Sequence, residues 1–257
     1  MSSAIVVGAT SFIGFQLCQT LISKEYDVLA VDPIKERTES EEEKLMEIGR
    51  NAFFQYALMQ DLQSNVDKEE YDVLFICAEK EWTEEEVKQI NQLSNYVQKV
   101  IVTCSSLQHN NSKLTISNDK YITVITPELF GPWDLESSPI QQAILQRVGR
   151  NDEQQLELKI KRKDYLYIEN LSEALIALWE EKVTEDILFA TNPEKKSWEI
   201  ISQELNIPVK EVDDWLNEDD KIIWDFISYK PAITIEEGLH LQKRFVMIKL
   251  RSKRIIE

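Results

Sequence analysis

Glycine is scarce in this chain, six residues in 257, and so are the side chains that build metal centres and crosslinks, with three cysteines and two histidines. Cys18, Cys77 and Cys104 are an odd set, each among apolar residues, so they read as reduced core thiols rather than a disulfide framework. His109 and His240 lie far apart, and no CxxC or HExxH spacing occurs, so no metal site is expected. Positive charge is short as well: 29 basic against 46 acidic side chains leave −17 at pH 7. Charge of that sign repels a phosphate backbone or an anionic bilayer, so neither nucleic acid nor membrane is an expected partner. No apolar run approaches the roughly 20 residues of a membrane span, and the N-terminus lacks the basic start and apolar run of a signal peptide. The expected location is cytoplasmic.

What is present is a core and a phosphate turn. At 257 residues the chain can form one sizeable domain or one domain with a small appendage, and 43% hydrophobic residues are enough for a proper core. Residues 4–7 are a short apolar run suited to a strand covered on both faces, and Ile13, Leu17 and Leu21 follow at helical spacing. Between them Gly8 allows a sharp exit from the strand and Gly14 lets the helix pack close, while N–H groups at the helix start can hold a pyrophosphate. In so glycine-poor a sequence, placing two of six glycines here carries weight. Ser11 stands at the middle position, where glycine gives the closest backbone approach to phosphate; its hydroxyl is a compensating donor. With Phe12 and Ile13 it completes the turn. Residues 27–31 form a second strand ended by Asp32, about 20 residues past the turn, where a carboxylate accepts ribose hydroxyls and repels a 2′-phosphate.

Further along, the glutamate-dense stretch 36–47 reads as a solvated loop and helix face. Residues 52–59 form a third strand leading to Asp61 and Leu62, at a position suited either to the adenine edge or to a helix cap. Residues 72–77 form a continuous apolar strand ending at Cys77, with Ala78 after it small enough to let backbone lie against a cofactor. A helix is expected over 84–98, and a fifth strand over 100–103 brings Cys104, Ser105 and Ser106 to its carboxyl end. Residues 108–120 are polar and rich in turn formers, hence a loop, before a sixth strand from Tyr121 and a stiff turn at 127–132. Beyond lie a helix over 138–148, short strands over 156–160 and 165–168, a helix capped by Glu169 and Asn170, and another capped helix over 197–205. The alternation predicts an α/β fold with a doubly wound parallel sheet over 1–132 and a smaller α/β region over 133–257 packed on it.

With these pieces in order, the chain resembles the extended short-chain dehydrogenase/reductases, specifically the NAD-dependent epimerase/dehydratase family that modifies nucleotide sugars. The resemblance covers nearly the whole length. Gly8-Ala-Thr-Ser-Phe-Ile-Gly14 is similar to its glycine turn, Asp32 to its ribose-binding acid, Asp61-Leu62 to its adenine-contacting pair, and Ser105-Ser106 to its serine strand end. Phe130-Gly131-Pro132 stands where the family has Tyr-Gly-Pro, the stretch from Lys163 to Ala174 follows its Arg-Asp-Phe-Ile-Tyr-Val-Asp-Asp pattern, and the stretch from Tyr229 to Leu239 matches its C-terminal signature. The resemblance implies a Rossmann-type sheet, NAD as cofactor, and a dinucleotide and a sugar nucleotide as small-molecule partners. It places Gly8, Ser11, Phe12, Ile13, Gly14, Asp32, Asp61, Leu62, Cys77 and Ala78 around the cofactor.

The departures concern catalysis. The family relies on a Tyr whose phenol is made acidic by a Lys four residues later, and none of the eight tyrosines here has Lys at that spacing. Too few residues lie between Ser106 and Pro127 for a loop, a four-turn helix and a strand, so the catalytic helix is read as deleted. Substitutes are Tyr121 or His109 as the acid-base group, with Lys113 or Lys120 supplying positive charge, and Ser105 at the strand end. The family's substrate-side Arg and Asn are replaced by residues such as Thr126 and Glu128, the second of which would repel a diphosphate. The expected protein is a catalytically degenerate relative, a pseudoenzyme that binds, senses or assists; the alternative is an active but atypical NAD-dependent enzyme on a sugar nucleotide. Loss of that helix also predicts a monomer, or a dimer through a surface other than the family's helix bundle.

Overall fold

The computed structural model describes residues 2–33, 37–64, 71–77, 82–105, 114, 121–148, 158–212 and 220–256. Contacts divide the chain into two units, one of residues 1–126, 172–190 and 221–229, the other of residues 127–171, 191–220 and 230–257.

The first unit is built on a seven-stranded sheet in which every pairing is parallel. Its strands are β1 (Ser3–Val7), β2 (Asp27–Asp32), β3 (Phe54–Leu58), β4 (Tyr71–Cys77), β5 (Val97–Cys104), β6 (Tyr121–Ile125) and, after an intervening stretch of chain, β10 (Ile187–Phe189). The order β10-β6-β5-β4-β1-β2-β3 winds outward in both directions from β1 and β4, so the switch in strand order lies between those two. Crevices at such a point, outside the carboxyl ends, are where open α/β sheets take ligands. Near-continuous burial along β1, β2, β4 and β5 follows from cover on both faces, and explains why these strands read as unbroken apolar runs. One face carries Ile5, Val7, Leu29, Val31, Leu74, Ile76, Val100 and Val102, packed with Ile90 and Leu93 of α3 (Glu84–Leu93). The helix α1 (Phe12–Ser23) packs on β1, β2 and β4.

Several boundaries differ from the sequence reading. The helix expected to reach 98 stops at Leu93, because a single 3-10 turn at Ser94–Tyr96 delivers Val97 straight into β5. The edge strand β10 was not foreseen: its three residues are too few to show a period. In the second unit, the supposed stiff turn contains β7 (Glu128–Phe130), which pairs in parallel with β9 (Tyr165–Tyr167). A further two-stranded piece joins β8 (Ile160–Lys161) to β11 (Val209–Lys210). Helices α4 (Pro139–Arg147), α6 (Ser197–Leu205) and α7 (Ile235–Ile256) contribute to this unit's own core around Ile144, Tyr165, Ile201 and Leu239.

The family-like motifs of the second unit converge on one another. Gly131 has a φ of +149°, and a Cβ there would lie 2.6 Å from Cγ2 of Ile168; a Cβ at Gly238 would lie 2.7 Å from Cδ2 of Tyr167. Phe130 and Tyr167 meet edge to face, ring centroids 5.6 Å apart. Asn170 is not a helix cap: α5 (Ile168–Glu180) begins two residues earlier. Its buried amide instead donates to the Ile233 carbonyl at 2.8 Å and accepts from the N–H groups of Ala232 and Ile233 at 3.1 and 3.2 Å. These matches are a packing and pinning device.

Candidate functional site

The turn after β1 is shaped by two close approaches. Gly8 takes a φ of +80°, and a Cβ on it would sit 2.7 Å from the carbonyl oxygen of Cys77 at the end of β4. A Cβ on Gly14 would sit 2.0 Å from the Gly8 carbonyl oxygen, so the first turn of α1 rests directly on the bend. No other side chain fits either place without moving backbone. Ser11 is the N-cap of α1: its N–H donates to the Gly8 carbonyl at 3.0 Å and its Oγ accepts from the Gly14 N–H at 3.0 Å. The hydroxyl expected as a phosphate donor therefore closes the helix end with its oxygen and keeps one O–H to donate. Phe12 and Ile13 begin the helix with buried side chains, and Cys77 is buried at the edge of the turn.

Asp32 ends β2 beside this turn and is buried, 5% exposed. Its carboxylate accepts from the Thr10 N–H at 3.1 and 3.3 Å and is hydrogen-bonded by the Thr10 and Tyr56 hydroxyls. Burial raises its pKa, and these bonds pull it back down. Burial first, and the charge of Asp32 second, push the Tyr56 phenol up to about 12, with the Arg37 guanidinium, 4.7 Å from the Tyr56 ring centroid, acting against them. Most of the acceptor capacity of Asp32 is thus engaged by the protein, with Tyr56 among the donors.

The remaining expected residues scatter. Asp61 is exposed on the 3-10 turn after β3, whereas Leu62 points into the core. Ser105 is exposed just past β5, and Thr126 donates its hydroxyl to the Cys104 carbonyl at 3.3 Å. Tyr121 opens β6 opposite Val100, while Cys104 is opposite Ile125, so Tyr121 lies at the strand edge away from Ser105. Four residues of parallel strand separate the two ends by about 13 Å. Ala78, Ser106, His109, Lys113 and Lys120 lie outside the described residues. Glu128, expected to repel a diphosphate, is half-exposed and its carboxylate sits 2.7 Å from the Lys161 ammonium, which offsets that charge. Sequence reasoning missed Thr10, Tyr56, Arg37 and above all Lys44, whose ammonium donates to the Thr10 carbonyl at 2.8 Å from a side chain only 6% exposed. In the sequence Lys44 is set apart only as the lone cation within the acidic helix α2 (Glu39–Ile48), which does not say that it turns inward.

Among the described residues, no group of three or more His, Cys, Asp or Glu is placed to hold a metal, and no helix is long and apolar enough to cross a membrane. No curated protein matches the sequence. Solved structures do match in fold. One is dTDP-glucose 4,6-dehydratase from Bacillus anthracis in complex with NAD, at 13% identity and a TM-score of 0.71, covering 96% of this chain and 97% of that one. Another is UDP-glucuronic acid 4-epimerase from Bacillus cereus in complex with UDP-glucuronic acid and NAD, at 14% identity and 0.66, covering 95% and 99%. A third is an epimerase from Methanothermobacter thermautotrophicus, at 14% identity and 0.65, covering 98% and 94%. The family model of NAD dependent epimerases and dehydratases matches residues 4–117, the stretch that holds the turn, Asp32 and the switch point of the sheet. The chain is thus similar over residues 4–117 to the NAD dependent epimerase/dehydratase family, and it shares a Rossmann-like fold with these solved structures along nearly its whole length.

Proposed function

We propose that this protein binds NAD at the β1–α1 turn and acts as a binding, sensing or accessory protein rather than as a sugar-nucleotide epimerase or dehydratase. The observation that carries the reading is a contrast: the turn keeps the two glycines whose spaces a Cβ would fill and the acid at the end of β2, while no tyrosine has Lys four residues on. The donor set fits a dinucleotide. Gly8, Ser11 and Gly14 shape a helix N-terminus that favours a pyrophosphate, and Asp32 stands where adenosine ribose hydroxyls are accepted. Bound NAD would supply hydride transfer; the protein's own residues would orient it, with the β4 end at Cys77 closing one side.

The test has two arms. Calorimetric titration is expected to give NAD binding and markedly weaker NADP binding, because a buried carboxylate at position 32 opposes a 2′-phosphate. Incubation with NAD and UDP- or dTDP-sugars, followed by cofactor absorbance and product chromatography, is expected to show no turnover. Turnover that disappears on Ser105→Ala would make this an active atypical enzyme instead. Equal NADP affinity would remove Asp32 from its role.

A further inference from the structure

Thr10, at the centre of the phosphate turn, is held on both sides by buried charges. Its N–H donates to the Asp32 carboxylate at 3.1 Å, and its carbonyl accepts from the Lys44 ammonium at 2.8 Å. The two charged residues are 5% and 6% exposed. Lys44 comes from α2, where the other charged side chains, Glu39, Glu41, Glu42, Glu43 and Glu47, are exposed or half-exposed. The lysine alone turns inward, its ammonium 5.8 Å from the Phe15 ring centroid. Withdrawing an ammonium from water is costly, and an apolar side chain of similar volume often serves stability as well or better. Packing alone therefore gives no reason for a lysine here, whereas its hydrogen-bond partner does.

The Thr10 carbonyl belongs to the same peptide plane as the Ser11 N–H, which donates to Gly8. Were that peptide to rotate, the carbonyl would turn its negative end toward the mouth of the turn and the donor would be lost. Lys44 holds the carbonyl inward and places a full positive charge one residue before the helix N-cap, where it adds to the roughly half charge of the helix N-terminus. We propose that Lys44 is a positioning residue for the pyrophosphate of the dinucleotide, fixing the Thr10–Ser11 peptide and supplying positive potential at a turn whose middle position is Ser11 rather than glycine. The inference rests on the NAD reading of the same turn.

The experiment titrates the full chain with NAD, ADP and adenosine, for the wild type, Lys44→Met and Lys44→Gln. Met removes both charge and donor; Gln keeps an N–H donor without the charge. The expected result is that Lys44→Met weakens NAD and ADP by about tenfold or more while adenosine, which has no phosphate, changes less than about twofold, with Lys44→Gln between. A folded Lys44→Met that binds ADP as the wild type does overturns the proposal, and so does an equal loss for ADP and adenosine, which marks a merely structural lysine. If Lys44→Met does not fold, Lys44→Gln decides alone: a selective loss for ADP supports the role and unchanged ADP affinity overturns it. A wild type that binds neither NAD nor ADP removes the dinucleotide reading itself, and the role of Lys44 falls with it.

Discussion

Gly14 shows how one residue can tie a helix to a strand. With a Cβ 2.0 Å from the Gly8 carbonyl oxygen, Gly14→Ala must push α1 off the turn. Overpacking of that kind costs about 1–3 kcal/mol, more where backbone must shift. The expected outcome is a fall in Tm of about 5–10 °C, measured by thermal unfolding, together with loss of NAD binding. Gly8, Gly14 and Asp32 were legible because each belongs to a short local pattern whose spacing has one geometric meaning. Lys44 was not, since its partner Thr10 is 34 residues away and nothing local tells one lysine in an acidic helix to turn inward. Tyr56 was hidden for the same reason, and it yields a prediction of its own. Its hydroxyl bonds the carboxylate that the proposed NAD ribose would use, so Tyr56→Phe should tighten NAD several-fold by calorimetry, a hydrogen bond of about 1 kcal/mol no longer having to be broken. An unchanged or weaker affinity would mean that Tyr56 and ribose do not share the carboxylate.

At the scale of elements, the strands of the central sheet could be read because burial on both faces leaves unbroken apolar runs such as residues 73–77. Three of the shortest elements could not, since β7, β10 and β11 owe their existence to a partner strand rather than to their own period, whereas β9 and the first residue of β8 fall within the strands expected over 165–168 and 156–160. The capping of α5 was misread because Glu169-Asn170 before an apolar helix looks like an N-cap, while the true work of Asn170 is to hold residues 232–233. Removing it takes the side-chain partner from one half-buried carbonyl and two N–H groups. Asn170→Ala is therefore expected to cost about 2–4 kcal/mol, read as a shifted urea midpoint with little change in slope. Asn170→Asp, which keeps the acceptor but not the donor to Ile233, should fall between. A cost below about 0.5 kcal/mol for the alanine variant would show that the 229–235 segment is held by its own packing.

For the whole molecule, the acids that burial perturbs all move the same way. Asp32, Asp134 and Asp164 are raised, each chiefly by burial, and Asp134 is pushed up to about 7 against hydrogen bonds from the Ser138 hydroxyl, the Leu135 N–H and the Gln242 amide. Below about pH 4 the folded and unfolded chains both hold these protons; between about 4 and 7 the folded chain keeps a proton on Asp134 that the unfolded chain has released. Stability should therefore fall as pH rises through that window and level off above it. Asp134→Asn should flatten the profile and unfold a few degrees higher than the wild type at pH 8. A wild-type profile that rises from pH 5 to 7 would contradict this sign. Association is argued at the same scale. A dimer built on the helix before the serine strand would need that helix to present an apolar outer face and to bury on the order of 1,200 Å² in all. In α3 the apolar residues Val87, Ile90 and Leu93 are spent on the core, and what faces outward is Glu84, Glu85, Lys88 and Gln92. Two such faces brought together would oppose glutamate to glutamate in a chain already at −17. Light scattering on the purified protein is expected to give the 30.0 kDa of one chain, or a dimer whose mass survives Val87→Asp no worse than its fold does. A scattering envelope with the α3 helices of two copies side by side would overturn that expectation and assign the polar face of α3 to a partner copy.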